Sequence, residues 1–145
     1  MNGRTSFEVK GNVRPVRDEI RHRLQMLNGK ERFSVILWKM PEGIPFDMVD
    51  PNSVREYIQC GGSAERMTVE VRKLNKGTPH HEVVGRAGTE SPEGDPSEKV
   101  PFGGGYGVRV YPNEVFDADE AGDLLIAYYE TGDVPSSYRK RSIAP

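Results

Sequence analysis

The stretch YGVRVYPNEVFDADEAGDLLIAYYETGDVPSSYRKRSI, Tyr106 to Ile143, decides the fold. Its pattern predicts a strand, a short turn, an amphipathic helix, a glycine stop and a closing strand. Asp117 suits the N-cap, and Glu120 three residues later completes a capping box of the Asp-x-x-Glu kind. Asp119, Glu120 and Asp123 lie in the early turns, where the positive end of the helix dipole favours carboxylates. Ala121, Leu124, Leu125 and Tyr128 follow helical spacing and share one apolar face. Thr131-Gly132 ends the helix with the residue best able to take a positive φ, and Pro135 prevents a restart.

Working outward to the N-terminus, TSFEVK (residues 5–10) predicts a short strand with Phe7 and Val9 facing in. A helix follows from Val13 or Pro15 to Asn28, with Pro15 in the first turn. Its apolar stripe is Val16, Ile20, Leu24 and Leu27, its opposite face carries Arg17, Arg21 and Arg23, and Gly29 is the stop. FSVILWK, Phe33 to Lys39, is apolar on both alternating sets and is expected to be a central strand buried on both faces. After a loop with three prolines, Asp50-Pro51 is expected to cap a short helix through about Ile58, broken by Gly61-Gly62. MTVEVRKL, Met67 to Leu74, alternates as a half-exposed strand with Met67, Val69 and Val71 on one side. Asn75 to Gly77 form a turn, and His81 to Arg86 return as the hairpin partner. Residues 87–105 hold three prolines and end in a glycine run, so a long mobile loop is expected there. The elements combine as an α+β domain over residues 1–145: a mainly antiparallel sheet of about five to six strands with two helices packed on one face.

With 145 residues, the chain is long enough to bury a real core as one domain. The formal charge of -2 gives no global pull toward nucleic acid or an anionic membrane. The single cysteine, Cys60, permits no internal disulfide and suits a reducing compartment. No apolar run approaches the roughly 20 residues that cross a bilayer, and MNGRTSFEVK has no apolar core of a signal peptide. A cytoplasmic location is therefore expected.

Sites for chemistry are sparse. His80 and His81 are neighbours in a strand and point to opposite faces, so they do not bind one metal together. The glycine-rich Pro101 to Gly107 segment is followed by a strand, whereas a phosphate loop needs a helix there. Cys60 has no evident local base. No pair of carboxylates is singled out by spacing. No catalytic residue, cofactor or metal is expected.

Charge segregation is more informative. Between Pro112 and Pro135 the acids are Glu114, Asp117, Asp119, Glu120, Asp123, Glu130 and Asp133, with no Lys or Arg among them. Arg14, Arg17, Arg21, Arg23, Lys30 and Arg32 make the first helix region basic. The plain reading is a solvated helix face. The sharper one is an acidic surface that attracts a basic partner and raises its association rate. The short basic patch Tyr138 to Arg141 is too small beside these acids to argue for nucleic-acid binding.

The C-terminal third resembles a family of immunity proteins from bacterial polymorphic-toxin systems, some of which accompany deaminase or nuclease toxins. The resemblance rests on Val108 and Val110, Val115-Phe116-Asp117, Glu120-Ala121, Thr131-Gly132-Asp133-Val134-Pro135 and Tyr138. Tyr138 stands where the family favours tryptophan, and the 87–105 segment is longer than expected. The resemblance is specific over about 38 residues, Tyr106 to Ile143, and is one of element order elsewhere. It implies a non-catalytic inhibitor that binds and neutralises a cognate toxin domain, without a cofactor, nucleic acid or membrane. The acidic window and its aromatic then suggest toxin contacts at Glu114, Asp119, Glu120, Asp123, Tyr129, Glu130 and Asp133. The alternatives are a small-ligand-binding or enzymatic domain using Gly103 to Gly107 with His80 or His81, and a generic adaptor.

Overall fold

A computed structural model describes residues 14–50, 53–87, 94–101 and 107–143. The strand expected over residues 5–10 and the glycine run 103–105 lie outside them. Seven strands and two α-helices form among the described residues: α1 (Val16–Gln25), β1 (Ser34–Leu37), β2 (Tyr57–Gly62), β3 (Met67–Asn75), β4 (Thr78–Gly85), β5 (Glu98–Pro101), β6 (Gly107–Val110), α2 (Ala118–Thr131) and β7 (Arg139–Ile143). Five of the strands make an antiparallel sheet in the order β1-β2-β3-β4-β7, and β5 and β6 make a separate antiparallel pair. The fold is α+β, as the sequence predicts.

The helices cover one face of the sheet. Ile20, Leu24 and Leu27 from the α1 region and Ala121, Leu124 and Leu125 from α2 join Ile58, Cys60, Met67, Val69, Val71 and Val84 in the main core. Each of these side chains is 5 % exposed or less. Burial on this scale, roughly 1.5–3 kcal/mol per large aliphatic side chain, is what overcomes the entropy of ordering the chain.

The caps follow the sequence with one change. Asp117 accepts a hydrogen bond from Glu120 N at 2.9 Å, and Gly132 ends α2 in the left-handed conformation with φ 85°. Glu120 does not return the bond, because its carboxylate turns to Arg86 and Tyr138 instead. The first helix is shorter than expected. Asn28 Oδ1 accepts bonds from Lys30 N and Arg32 N, an alternative to helix that ends the segment early.

Four expectations are corrected. Phe33 to Lys39 yields β1, an edge strand rather than a central one, with Phe33 and Ile36 exposed. The central strand is β3, and it is less open than its alternation suggests: Thr68 is 1 % exposed. The reason is the β5–β6 pair, which lies over that end of the second face and packs Val100, Val108 and Val110 with Val83, Val115 and Ile143. The short helix expected to reach Ile58 is absent over its last part, where β2 begins at Tyr57. Gly61 sits inside the ladder opposite both Ser34 and Thr68 rather than breaking it. Finally, Glu98 to Pro101 of the expected mobile loop form β5, in register with Gly107 to Val110, and Val100 is fully buried.

Candidate functional site

The acidic window of α2 and its flanks was the sequence's candidate contact surface. Five of its seven acids, Glu114, Glu120, Asp123, Glu130 and Asp133, meet cations of the same chain. Glu114 sits in the 3₁₀ turn Pro112–Glu114 with a side chain only 4 % exposed. It accepts Arg141 Nε at 2.8 Å, Arg141 Nη2 at 2.9 Å and Tyr111 N at 2.9 Å. No partner protein can reach this carboxylate without opening the fold, so Glu114 leaves the contact set. Glu120 forms a two-pronged pair with Arg86, at 2.7 and 2.9 Å, and accepts the Tyr138 hydroxyl at 3.1 Å. The Arg86 guanidinium also lies over the Phe116 ring, 4.7 Å from its centre.

The α1–α2 contact is a polar seam over an apolar floor. Arg21 reaches Asp123 Oδ1 at 2.5 Å and Asp119 O at 3.1 Å. Gln25 reaches Asp119 Oδ1 at 3.4 Å, and Arg17 reaches Glu130 at 2.6 Å. The Arg21 stem crosses α2 at Gly122, where an added Cβ would stand 3.3 Å from Arg21 Cγ. The basic face of the first helix and the acidic face of the second therefore answer each other. The opposite signs of the two stretches, visible in the sequence, were a signal for this pairing as much as for an outside partner.

Asp133 closes the far end of α2 against the sheet. Lys140 Nζ lies 2.8 Å from both of its oxygens, Lys73 Nζ lies 2.5 Å from one, and Val134 N donates at 2.8 Å. Burial alone would raise this carboxyl, but the bonds from Lys140, Lys73 and Val134 outweigh it and hold it below its ordinary 3.8. A depressed folded value means stability present above the unfolded value and lost as pH falls through the folded one. The urea midpoint should therefore drop between about pH 5 and pH 2, and Asp133→Asn should flatten that part of the profile. An unchanged acid-side slope in the variant would show that the Lys73–Asp133–Lys140 cluster contributes nothing to folding.

On the solvent side, the surface that remains is Tyr129, 51 % exposed, with Glu130 and Asp123 on the same helix about 100–120° round toward α1. Asp119 is exposed on the same helix. Tyr128, the neighbouring aromatic, packs against the core instead.

Other chemistry finds little support. Cys60 is buried, and desolvation followed by the nearby Glu70 charge pushes its thiol well above the ordinary range, which disfavours a thiolate nucleophile. His80 is exposed, whereas His81 Nε2 lies 3.1 Å from Glu70 Oε2, so the two rings part as their strand positions require. Among the described residues there is no group of three His, Cys, Asp or Glu side chains that could hold a metal ion. A cleft of about 220 Å³ runs between β4, β7 and the Pro112–Glu114 turn, lined by Val83, Gly85, Asn113, Glu114 and Arg141. Of its charged groups, Glu114 and Arg141 are bound to each other and Lys140 is bound to Asp133, with Arg139 also on the wall. No helix among the described residues is long and apolar enough to cross a membrane.

Compared with protein-family models, curated proteins and solved structures, the chain matches none.

Proposed function

We propose that this chain is a non-catalytic immunity protein of the bacterial cytoplasm that binds a cognate toxin domain, of the deaminase or nuclease class, and blocks its action. The reading rests on the family resemblance of the C-terminal third. The observation that carries it is the exposed surface of α2, which holds Tyr129 and, about 80–120° round the helix from it, a stripe of carboxylates from Asp119, Asp123 and Glu130. These acids are already ordered by Arg17, Arg21 and Gln25, so a partner meets a pre-organised surface and spends less entropy in fixing it. The pairs themselves are solvent-exposed, with side-chain exposures of 40 % to 66 %. Such pairs are worth about 0–1 kcal/mol each, so a basic toxin surface can exchange with Arg17 and Arg21 at little cost. The aromatic supplies the apolar contact that most often dominates interface energy.

Co-purification with the C-terminal domain of the secreted protein encoded next to it, followed by a toxicity assay of that domain, tests the reading. A tight complex and rescue of cells are expected, with Tyr129→Ala weakening the complex at least about tenfold at an unchanged melting temperature. Asp123→Lys, which also sets a second cation beside Arg21, should slow association at low salt. Absence of both complex and rescue would remove the immunity reading.

A further inference from the structure

The face of the sheet turned away from the helices carries a row that the acidic-helix reading does not use. Tyr57 on β2, Arg72 on β3 and His81 on β4 are direct cross-strand partners, so their side chains rise from the same face side by side. Tyr57 and His81 are two strands apart, yet their rings meet edge to face with centroids 6.4 Å apart. They close across the strand that carries Arg72. The Arg72 Nε is fully removed from solvent and has no hydrogen-bond partner. Glu70, on the same strand and face, is turned to His81. Among the described residues Arg72 has no ion-pair partner, although Arg17, Arg21, Arg66, Arg86 and Arg141 each have one.

A half-buried guanidinium with no ion-pair partner of its own is costly. Desolvation weakens its hydration, and an unmade bond at a buried donor costs about 1–3 kcal/mol. The same desolvation makes it a strong receptor for a carboxylate, because a two-pronged bond to such a group gains in a low-dielectric setting. The surroundings suit a protein segment rather than a free ion. Ile36 on β1, 43 % exposed and level with Glu70, and Leu74 on β3, 37 % exposed, lie on the same face on opposite sides of the Arg72 row. The β5–β6 pair covers the end around Thr68 and Val83, and its cluster reaches Ile143 beside His81.

We propose that the Tyr57–Arg72–His81 row is a second interaction surface, whose occupant is a protein segment that presents an Asp or Glu side chain to Arg72 and apolar side chains to Ile36 and Leu74. The arginine and the tyrosine are the residue types that most often anchor interfaces, and here they are adjacent and partly desolvated. The surface does not depend on the identity of any toxin, since it lies across the sheet from α2.

The test is selection of binding peptides from a random display library on the intact protein, followed by affinity measurement with variants. The selected peptides should carry an Asp or Glu flanked by apolar residues. Arg72→Gln and Tyr57→Ala should each weaken them at least about tenfold, and Arg17→Gln, on the helix side, should leave them unchanged. Arg72→Lys keeps the charge but not the fork, and should fall between wild type and Arg72→Gln. Melting temperatures of all variants within about 2 °C of wild type would show that the fold is intact. Selection of no peptide, of peptides without a carboxylate, or of peptides that bind Arg72→Gln as well as wild type would overturn the proposal. So would a concentration-dependent dimer in sedimentation that Arg72→Gln abolishes, since it would place a second copy of this chain on the row.

Discussion

Replacing Gly62 with alanine is expected to lower the melting temperature by roughly 10 °C or more, at a cost of about 3–5 kcal/mol. Gly62 closes β2 with φ 128°, a backbone conformation that side-chain-bearing residues rarely adopt. The space is closed as well. An added Cβ would stand 2.3 Å from Arg66 O, 2.7 Å from Val100 Cγ1 and 2.9 Å from Met67 Cα. Two of those contacts are backbone and cannot swing away. The third is the buried valine of β5, so the substitution would also push the β5–β6 pair off the sheet. Gly43 makes the control: its φ is 75°, but nothing stands within 4 Å, so alanine there should cost only about 1 kcal/mol. Calorimetric melting of the two variants decides the matter. Equal and small shifts would mean that the β5–β6 pair is not tightly seated on Gly62. Hydrogen exchange should show the loss first in β5 and β6, where the displaced valine sits.

The second large effect is expected at Arg141. Alanine there should destabilise the protein by about 3–5 kcal/mol, because it leaves the Glu114 carboxylate buried with only the Tyr111 N–H to satisfy it. Arg141 also stacks over the Tyr111 ring, 5.0 Å from its centre, so some packing goes with the charge. The hydrogen bonds to Glu114 outweigh the cost of burial and raise the Arg141 guanidinium above its usual value, so the cation persists at every working pH. Lysine in its place cannot make the two-pronged bond and should recover only part of the loss. The informative variant is the double change Arg141→Ala with Glu114→Gln. A neutral amide can still accept from Tyr111 N, so the double variant should be more stable than Arg141→Ala alone. A urea denaturation series over the four members of the cycle measures the coupling. If the double variant is no better than the single one, the penalty comes from lost packing and not from a stranded charge.

Arg141 and Glu114 also show how far the sequence can be read. Both residues were visible, one in a short basic run and the other in an acidic window. Nothing local links positions 27 residues apart; the β4–β7 pairing and the 3₁₀ turn bring them together. Glu114 therefore looked like surface and proved to be interior. Asp119, Asp123, Glu130 and Tyr129 were legible as surface, because helical periodicity places them away from the apolar stripe of α2. Asp117 and Gly132 were legible as caps, because capping is chemistry over a few residues. FSVILWK misled, since a continuous apolar run is the mark of a strand buried on both faces, yet here part of the run is exposed at the edge of the sheet.

What the sequence determined by itself was local: two amphipathic helices, the caps of α2, the Asn75 to Gly77 hairpin turn, alternating strands, and an α+β class with antiparallel pairing. Those features depend on spacing within a few residues and on the φ preference of single ones. Only the tertiary structure decided that β1 is an edge, that β5 and β6 fold over the second face, that Glu130, Asp123 and Glu120 of α2 pair with Arg17, Arg21 and Arg86, and that Asp133 beyond it pairs with Lys140. It alone left Arg72 between Tyr57 and His81 with a buried Nε that has no hydrogen-bond partner. Charge carries its sign in the sequence, but Coulomb energy depends on distance and on the water excluded between the groups. Both are set when the chain has closed.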